Sequence, residues 1–257
     1  MNSYVTTYYV CYRKHNGKKI YEDKNLLSEF NIIRNPFFYW AADPFVLDVN
    51  GTTYIFAELA SKITGKGHIG FLNLNDKKPK WRKAYKTKEH LSFPNFIKHG
   101  DKYIGILETS QNQNVSLYEL KCLPELSPEI VFTKTLIKEG ELVDTVFDVD
   151  KDILLTYLCS YQNDVFKLSY RKFSQPDVII SSILDSKKHL RPAGNLFSSD
   201  SNMFLPTQCC QNFYGEYIIF NKIEIFNEKI DIKPIYEINN KDIEKHLHVK
   251  NILGCHT

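Results

Sequence analysis

Ala42-Asp43-Pro44-Phe45-Val46-Leu47, then Asn50-Gly51, then Thr53-Tyr54-Ile55-Phe56-Ala57-Glu58 is the stretch from which the fold can be read. Asn-Gly between two alternating apolar runs accepts the positive φ angles of a tight hairpin turn. A third run, Gly67-His68-Ile69-Gly70-Phe71-Leu72, follows. The same order returns as Phe93-Pro94-Asn95-Phe96-Ile97, a turn at His99-Gly100-Asp101, and Tyr103-Ile104-Gly105-Ile106-Leu107-Glu108. It returns again from Val143-Asp144-Thr145-Val146-Phe147 and from Arg191-Pro192-Ala193-Gly194-Asn195-Leu196-Phe197. The openings at Asp43, Pro94, Asp144 and Gly194 lie about fifty residues apart, the spacing of four-stranded propeller blades.

Four copies are visible, and the remainder of the chain is expected to supply a fifth. Lys229 to Tyr236 reads as the outer strand of blade four, and Ile252 to Thr257 as another blade opening. Pairing of Tyr8-Tyr9-Val10-Cys11-Tyr12 with C-terminal sequence would close the ring and remove an exposed edge. No low-complexity linker divides the chain, so residues 1–257 read as a single all-β domain, a five-bladed β-propeller. The abrupt stop after His256-Thr257 suggests that further residues or another domain follow. Helix is expected only near Asn239 to His246, capped by Asn240. A β-sandwich is the alternative, but its turn signals recur every eight to twelve residues without a superimposed longer period.

Composition agrees. Sixteen Tyr and seventeen Phe bring the aromatic content to 14%, a mix that favours pleated strands over helices. With 33 basic against 30 acidic side chains the formal charge is only +3, too weak a field to hold a polyanion, which argues against nucleic acid. Lys77, Lys78, Lys80, Arg82, Lys83, Lys86 and Lys88 form a mild basic cluster. It reads as a solvated loop between blades, with a face toward a phosphorylated substrate or an anionic membrane surface as the alternative. Six cysteines without CxxC or zinc-type spacing read as reduced thiols. The first fourteen residues have neither a basic n-region nor an apolar h-region, from which a cytoplasmic protein is expected, with contact at the inner face of the membrane left open.

The inner strand of each blade lines the central channel, so equivalent positions of successive repeats meet near the axis. Those positions hold Asp43, Asn95, Asp144, Arg191 and His256, and the ends of the second strands hold Glu58, Glu108, Thr156 and Gln208. Several carboxyl groups in one shielded cavity cannot all ionise cheaply. One then keeps its proton while another accepts one, the pairing that glycosidic chemistry uses. Arg191 suits a phosphate held bidentately. Taken singly, Asp43 and Asp144 read equally well as loop-capping residues. The histidines, His90 among them, show no ligand pattern and read as loop or surface residues. Gly-rich phosphate cradles and nucleophile elbows are absent from the sequence.

Ala42-Asp43-Pro44-Phe45, Lys66-Gly67-His68-Ile69-Gly70, Leu107-Glu108-Thr109-Ser110, Leu142-Val143-Asp144-Thr145, Arg191-Pro192-Ala193-Gly194 and Pro206-Thr207-Gln208 together carry a family resemblance. From about Trp40 to Thr257 the chain resembles the N-terminal propeller domain of plant glucosamine inositolphosphorylceramide transferases and of related bacterial polysaccharide-cluster proteins. Their architecture is similar to that of the five-bladed furanosidases of glycoside hydrolase families 43, 32 and 68. Asp43 matches the first-blade acid of those hydrolases, while Asn95 and Asp144 depart from their second-blade Asp and third-blade Glu. The resemblance implies a glycosyltransferase acting in surface polysaccharide biosynthesis, with a nucleotide-sugar donor and a glycan or lipid-linked acceptor. A glycoside hydrolase or a non-catalytic carbohydrate-binding propeller is the alternative. Under the transferase reading Asp43 or Asp144 deprotonates the acceptor, and Glu108 positions the sugar. Arg191, Gln208 and His256 contact the diphosphate or the sugar hydroxyls, with Lys66 near the leaving group. Glu58, Asn95, Thr109 and Ser110 complete the substrate-binding set. No cofactor is obligatory in this scheme, and a divalent metal is left open.

Overall fold

The computed structural model describes residues 7–19, 23, 27, 30–121, 128–138, 140–247 and 255. Four blades are present, each a meander of antiparallel strands. Blade one runs β3 (Tyr39–Val49), β4 (Thr52–Ser61), β5 (Gly67–Asn73) and β6 (Arg82–Tyr85), after a ribbon of β1 (Cys11–Tyr12) and β2 (Asn31–Ile32). Blade two runs β7 (Ser92–His99), β8 (Lys102–Thr109), β9 (Asn114–Lys121) and β10 (Glu129–Ile137). Blade three runs β11 (Leu142–Asp148), β12 (Ile153–Ser160), β13 (Val165–Arg171) and β14 (Ser181–Leu184). In blade four, β15 (Arg191–Pro192) and β16 (Phe197–Ser199) both pair with β17 (Asn202–Cys209), followed by β18 (Tyr217–Phe226) and β19 (Lys229–Asn239).

The expected fifth blade is not formed among the described residues. Residues 229–239 are taken up as the outer strand of blade four, and of the expected opening at Ile252 to Thr257 all but Cys255 lies outside the described residues. The N-terminal strand also pairs elsewhere than expected: β1 runs antiparallel to β2, and the Ile33 N–H donates to the Val10 carbonyl at 2.9 Å. Its backbone pairs with a segment about twenty residues away in sequence, and the C-terminal residues 248–254, 256 and 257 lie outside the described residues. The ribbon packs on blade one through Val10 and Ile33 against Ala41, Ile55 and Leu59, and Lys19 reaches the Asp200 carboxylate of blade four. Helix α1 (Asn240–Leu247) is capped one residue earlier than expected. The Asn239 side chain accepts the Lys241 and Asp242 N–H groups, and Asp242 accepts the Asn239 N–H in return, a reciprocal capping box. Among the described residues no helix is long and apolar enough to cross a membrane, and five of the cysteines are free thiols.

The blades meet around a dry centre. Phe45 of blade one and Phe93 of blade two meet edge to face at 4.8 Å between ring centroids, in a cluster with Val146, Leu155 and Tyr157 of blade three and Leu205 of blade four. Large aromatic rings suit this place because each spans the gap between adjoining sheets and closes it at the density of a protein interior. Tyr157 donates its hydroxyl hydrogen to Asp185 at 2.8 Å, and the same carboxylate accepts the backbone N–H groups of His189 and Leu190. Burial by itself would raise the Asp185 pKa, but hydrogen bonds from His189, Leu190 and Tyr157 hold it below the ordinary value. This buried latch fixes the approach to β15 and so the origin of the Arg191 side chain.

Candidate functional site

A β-bulge interrupts the inner strand of three blades at the same point. The register slips between Ala42 and Phe45, between Ser92 and Asn95, and between Val143 and Val146. At each slip one residue enters the left-handed region: Asp43 at φ 50°, Phe93 at 47° and Asp144 at 47°. Asp tolerates that conformation because its short side chain hydrogen-bonds locally, whereas Phe there is a genuine outlier. Strain of this kind, roughly 1–3 kcal/mol per residue, persists only where surrounding structure over-determines it. The bulge re-aims the side chain. Blades one and three thereby present an Asp where blade two presents the Phe93 ring.

The second strands answer across the sheet. Glu58 lies opposite Ala42, Glu108 opposite Ser92, and Gln208 opposite Arg191, each beside the inner-strand opening of its own blade. Glu108 Oε2 accepts the Asp144 backbone N–H at 2.9 Å, tying blade two to blade three. Arg191 Nε donates to Asp144 Oδ2, tying blade three to blade four, and the guanidinium carbon stands 5.0 Å from the centre of the Tyr214 ring. Asp43, Glu58, Glu108, Asp144, Arg191 and Tyr214 lie within electrostatic range of one another. Asp43, Glu58 and Asp144 are buried, while Glu108 and Arg191 keep part of their surface in contact with water. Glu108 and Arg191 thus form the water-facing side of the group, which we call the funnel mouth.

Crowding sets the protonation. Burial, reinforced by the charges of Asp43 and Asp144, pushes the Glu58 carboxyl up to about 9. Burial and the neighbouring Asp144 raise Glu108 well above the ordinary carboxylate range, against the opposing pull of Arg191. Desolvation works against the Arg191 charge, but Asp144 outweighs it and keeps the guanidinium protonated. Glu58 thus holds its proton at neutral pH and Glu108 is pushed the same way, beside Asp43, Asp144 and the fixed Arg191 cation.

Glu58 has a partner that the sequence does not announce. His90 Nδ1 accepts the Gly67 N–H at 3.0 Å, so the ring hydrogen sits on Nε2, which lies 3.3 Å from Glu58 Oε1. Burial lowers the His90 pKa and keeps the ring neutral. Gly67 is obligatory here: a Cβ on it would stand 2.5 Å from Glu58 Oε1 and 2.6 Å from the Leu91 carbonyl. Glu58→Gln tests the protonation. With a folded pKa near 9 and an unfolded value of about 4.3, the native chain holds an extra proton between those limits. The stability this group contributes is complete below the lower limit and declines as pH rises through the upper one. The Gln variant should lose less melting temperature than wild type between pH 5 and pH 9, and should melt several degrees higher at the alkaline end. Parallel curves for the two proteins would show that Glu58 ionises normally.

The structure brings Asp43, Glu58, Glu108, Asp144 and Arg191 together, and separates several other expected members. Asn95 is fully buried and donates Nδ2 to the Thr145 carbonyl at 3.2 Å; it joins two blades, and its supposed place in the repeat belongs to Phe93. The bulge falls at the same point in both blades, so fifty residues on from Asp43 is Phe93, and the prolines that follow them, Pro44 and Pro94, are equivalent. In the same way Tyr157, not Thr156, faces the inner strand opposite Val143, and Thr156 accepts from Arg171 Nε. Gln208 is buried, and its side chain hydrogen-bonds Tyr214. Thr109 is buried, Ser110 opens a short 3-10 turn (Ser110–Asn112), and Lys66 stands exposed on the β4–β5 loop, in electrostatic range of His90. His256 lies outside the described residues. Sequence reading missed His90 and Tyr214. For His90 a signal was present: the dipeptide His-Leu recurs at His90-Leu91 and His189-Leu190, just before the openings of blades two and four. Among the described residues no group of three or more His, Cys, Asp or Glu side chains is placed to hold a metal ion.

Comparison with known proteins follows the same lines. The family model described as glucosamine inositolphosphorylceramide transferase 1, N-terminal, matches residues 28–250. The glucosamine inositolphosphorylceramide transferase 1 of Arabidopsis thaliana is 27% identical over 206 residues, which cover 73% of this chain and 26% of that protein. The chain thus spans about a quarter of this relative's length. Among solved structures, a Bombyx mori GH32 β-fructofuranosidase superposes with a TM-score of 0.54 at 13% identity, over 80% of this chain and 51% of that one. The catalytic domain of a Coprinopsis cinerea GH62 α-L-arabinofuranosidase gives 0.52 at 13% identity, over 76% and 67%. The exo-β-1,3-galactanase of Phanerochaete chrysosporium gives 0.54 at 13%, over 81% and 50%. At such identities the likeness is one of fold.

Proposed function

Because the chain belongs to the family of glucosamine inositolphosphorylceramide transferase 1 N-terminal domains, we propose that it acts in glycosyl transfer. In this reading a sugar moves from a nucleotide-sugar donor to a hydroxyl of a glycan or lipid-linked acceptor. The observation that carries the reading is the meeting of carboxyl groups from blades one, two and three with a single guanidinium from blade four. Asp43 takes the acceptor proton as the acceptor oxygen attacks the anomeric carbon. The bond to the diphosphate oxygen breaks, and the charge that develops there is met by Arg191, with Lys66 at the rim. Asp144 is committed to Arg191 and serves to aim it, so Asp43 is the better base of the two. Glu58 and Glu108, holding their protons, donate hydrogen bonds to sugar hydroxyls.

A second reading, hydrolysis of a furanoside, draws on the protonated glutamic acids, which suit a general acid. The melting temperature separates the two. A transferase should be stabilised by its nucleoside diphosphate or sugar nucleotide by mass action, about 2.7 kcal/mol at a hundredfold excess over Kd, which in a domain of this size amounts to several degrees. Stabilisation by a free sugar or furanoside with none from any nucleotide would favour hydrolysis instead.

A further inference from the structure

We propose that the apex of blade one, beside the mouth of the funnel, is a docking surface for an anionic lipid bilayer. This stands apart from the reaction assigned above. Ser61 pairs with Tyr39, three residues beyond the Glu58 and Ala42 pair, so the loops before β3 and after β4 project about 10 Å further toward the open end. These loops carry Phe37, Phe38 and Ile63, which are 84%, 57% and 79% exposed. They form one unit. The Lys62 N–H donates to the Phe38 carbonyl at 2.9 Å, the Lys62 ammonium to the Phe37 carbonyl at 3.1 Å, and the two rings meet edge to face. A groove lined by Tyr9, Arg34, Pro36, Phe37, Phe38 and Lys62 runs across it.

Charge decides the occupant. Arg34, Lys62 and Lys66 are exposed around these side chains, and residues 30–42 and 59–75 contain no Asp or Glu. Apolar rings ringed by cations and free of acids suit the headgroup layer of an anionic membrane, where aromatic side chains enter and each cation gains from the surface potential. The same end carries exposed Tyr161 and Phe213 on blades three and four. At the opposite end the turns joining inner to second strands are polar: Asn50-Gly51, Gly100-Asp101, Asp148 to Asp152 and Asp200-Ser201. Docked this way, the funnel faces the bilayer. Sequence reading took the lysine cluster from Lys77 to Lys88 for a solvated loop, or for a face toward a phosphorylated substrate or an anionic membrane; for the membrane the geometry points instead to Phe37, Phe38 and Ile63.

The test is co-sedimentation of the full chain with vesicles of phosphatidylcholine alone and with a third phosphatidylserine. Wild type should bind the anionic vesicles more tightly. Phe37→Ser with Phe38→Ser should weaken binding to them about tenfold or more. Arg34→Glu with Lys62→Glu should weaken it by a similar factor, roughly, and leave the faint binding to neutral vesicles unchanged. Lys77→Glu with Lys78→Glu, on the exposed β5–β6 loop at the opposite end of the blade, should bind as wild type does. The Phe positions are exposed, so their replacement should leave the melting temperature unchanged; Ile63→Ser provides a second reading from the other loop. Absence of wild-type binding, wild-type binding by the double Phe variant, or release by the Lys77 and Lys78 variant alone would each overturn the proposal. So would light scattering that shows a dimer dissolved by the Phe variant with no vesicle binding, which would assign the face to a second copy of the chain.

Discussion

Asp43→Asn is expected to lower sugar transfer by two or more orders of magnitude while leaving the melting temperature within a few degrees of wild type. The two halves of that expectation have separate causes. Loss of the carboxylate removes the acceptor's proton sink, and an amide does not replace it. The fold is spared because Asn, like Asp, tolerates the left-handed conformation at φ 50° that the bulge imposes. Asp43→Ala distinguishes charge from backbone: it should be equally inactive and also less stable by roughly 1 kcal/mol, since Ala has no local hydrogen bond to offset the strain. Initial rates with a responsive nucleotide sugar, alongside thermal melts, provide the measurement. Full activity in a folded Asn variant would return Asp43 to the status of a bulge residue.

The second large effect concerns stability. Arg191→Met should destabilise the chain by roughly 3–5 kcal/mol, because it leaves Asp144 buried without its cation and next to Glu108 and Glu58. Both partners are well shielded, at 13% and 4% side-chain exposure, so solvent screening rescues little of that cost. Adding Asp144→Asn to Arg191→Met should restore most of the loss, since the neutral pair no longer isolates a charge in the funnel. Urea unfolding of the two single variants and the double one measures the coupling. A loss under 1 kcal/mol in Arg191→Met alone would mean that the funnel is wet enough to solvate Asp144 unaided.

These two expectations share one origin. Unlike charges from blades three and four are held in contact by elements that are rigid for other reasons: the Tyr157 and Asp185 latch behind Leu190, and the Phe45 and Phe93 ring pair. Glu58→Gln should raise stability at alkaline pH while Arg191→Met lowers it, a contrast expected of a site where acids outnumber cations and the surrounding fold meets the cost.

Strand content, the fifty-residue repeat and the placement of Glu58 and Glu108 were legible in the sequence because each depends on short-range order. An apolar alternation with an Asn-Gly turn specifies a hairpin wherever it occurs, and a residue on an uninterrupted strand keeps its face under a count of two. Blade number, the partner of the N-terminal strand, the exchange of Asn95 for Phe93, the contact of His90 with Glu58 and the stacking of Tyr214 under Arg191 were decided only by tertiary structure. A bulge turns one residue out of the strand's alternation, so the side chain it aims is not found by a count of two, and loops such as those bearing His90 and Tyr214 take their direction from the blades they join. Which charges share a cavity is a matter of distance across the axis, and distance across the axis is not a local property of the chain.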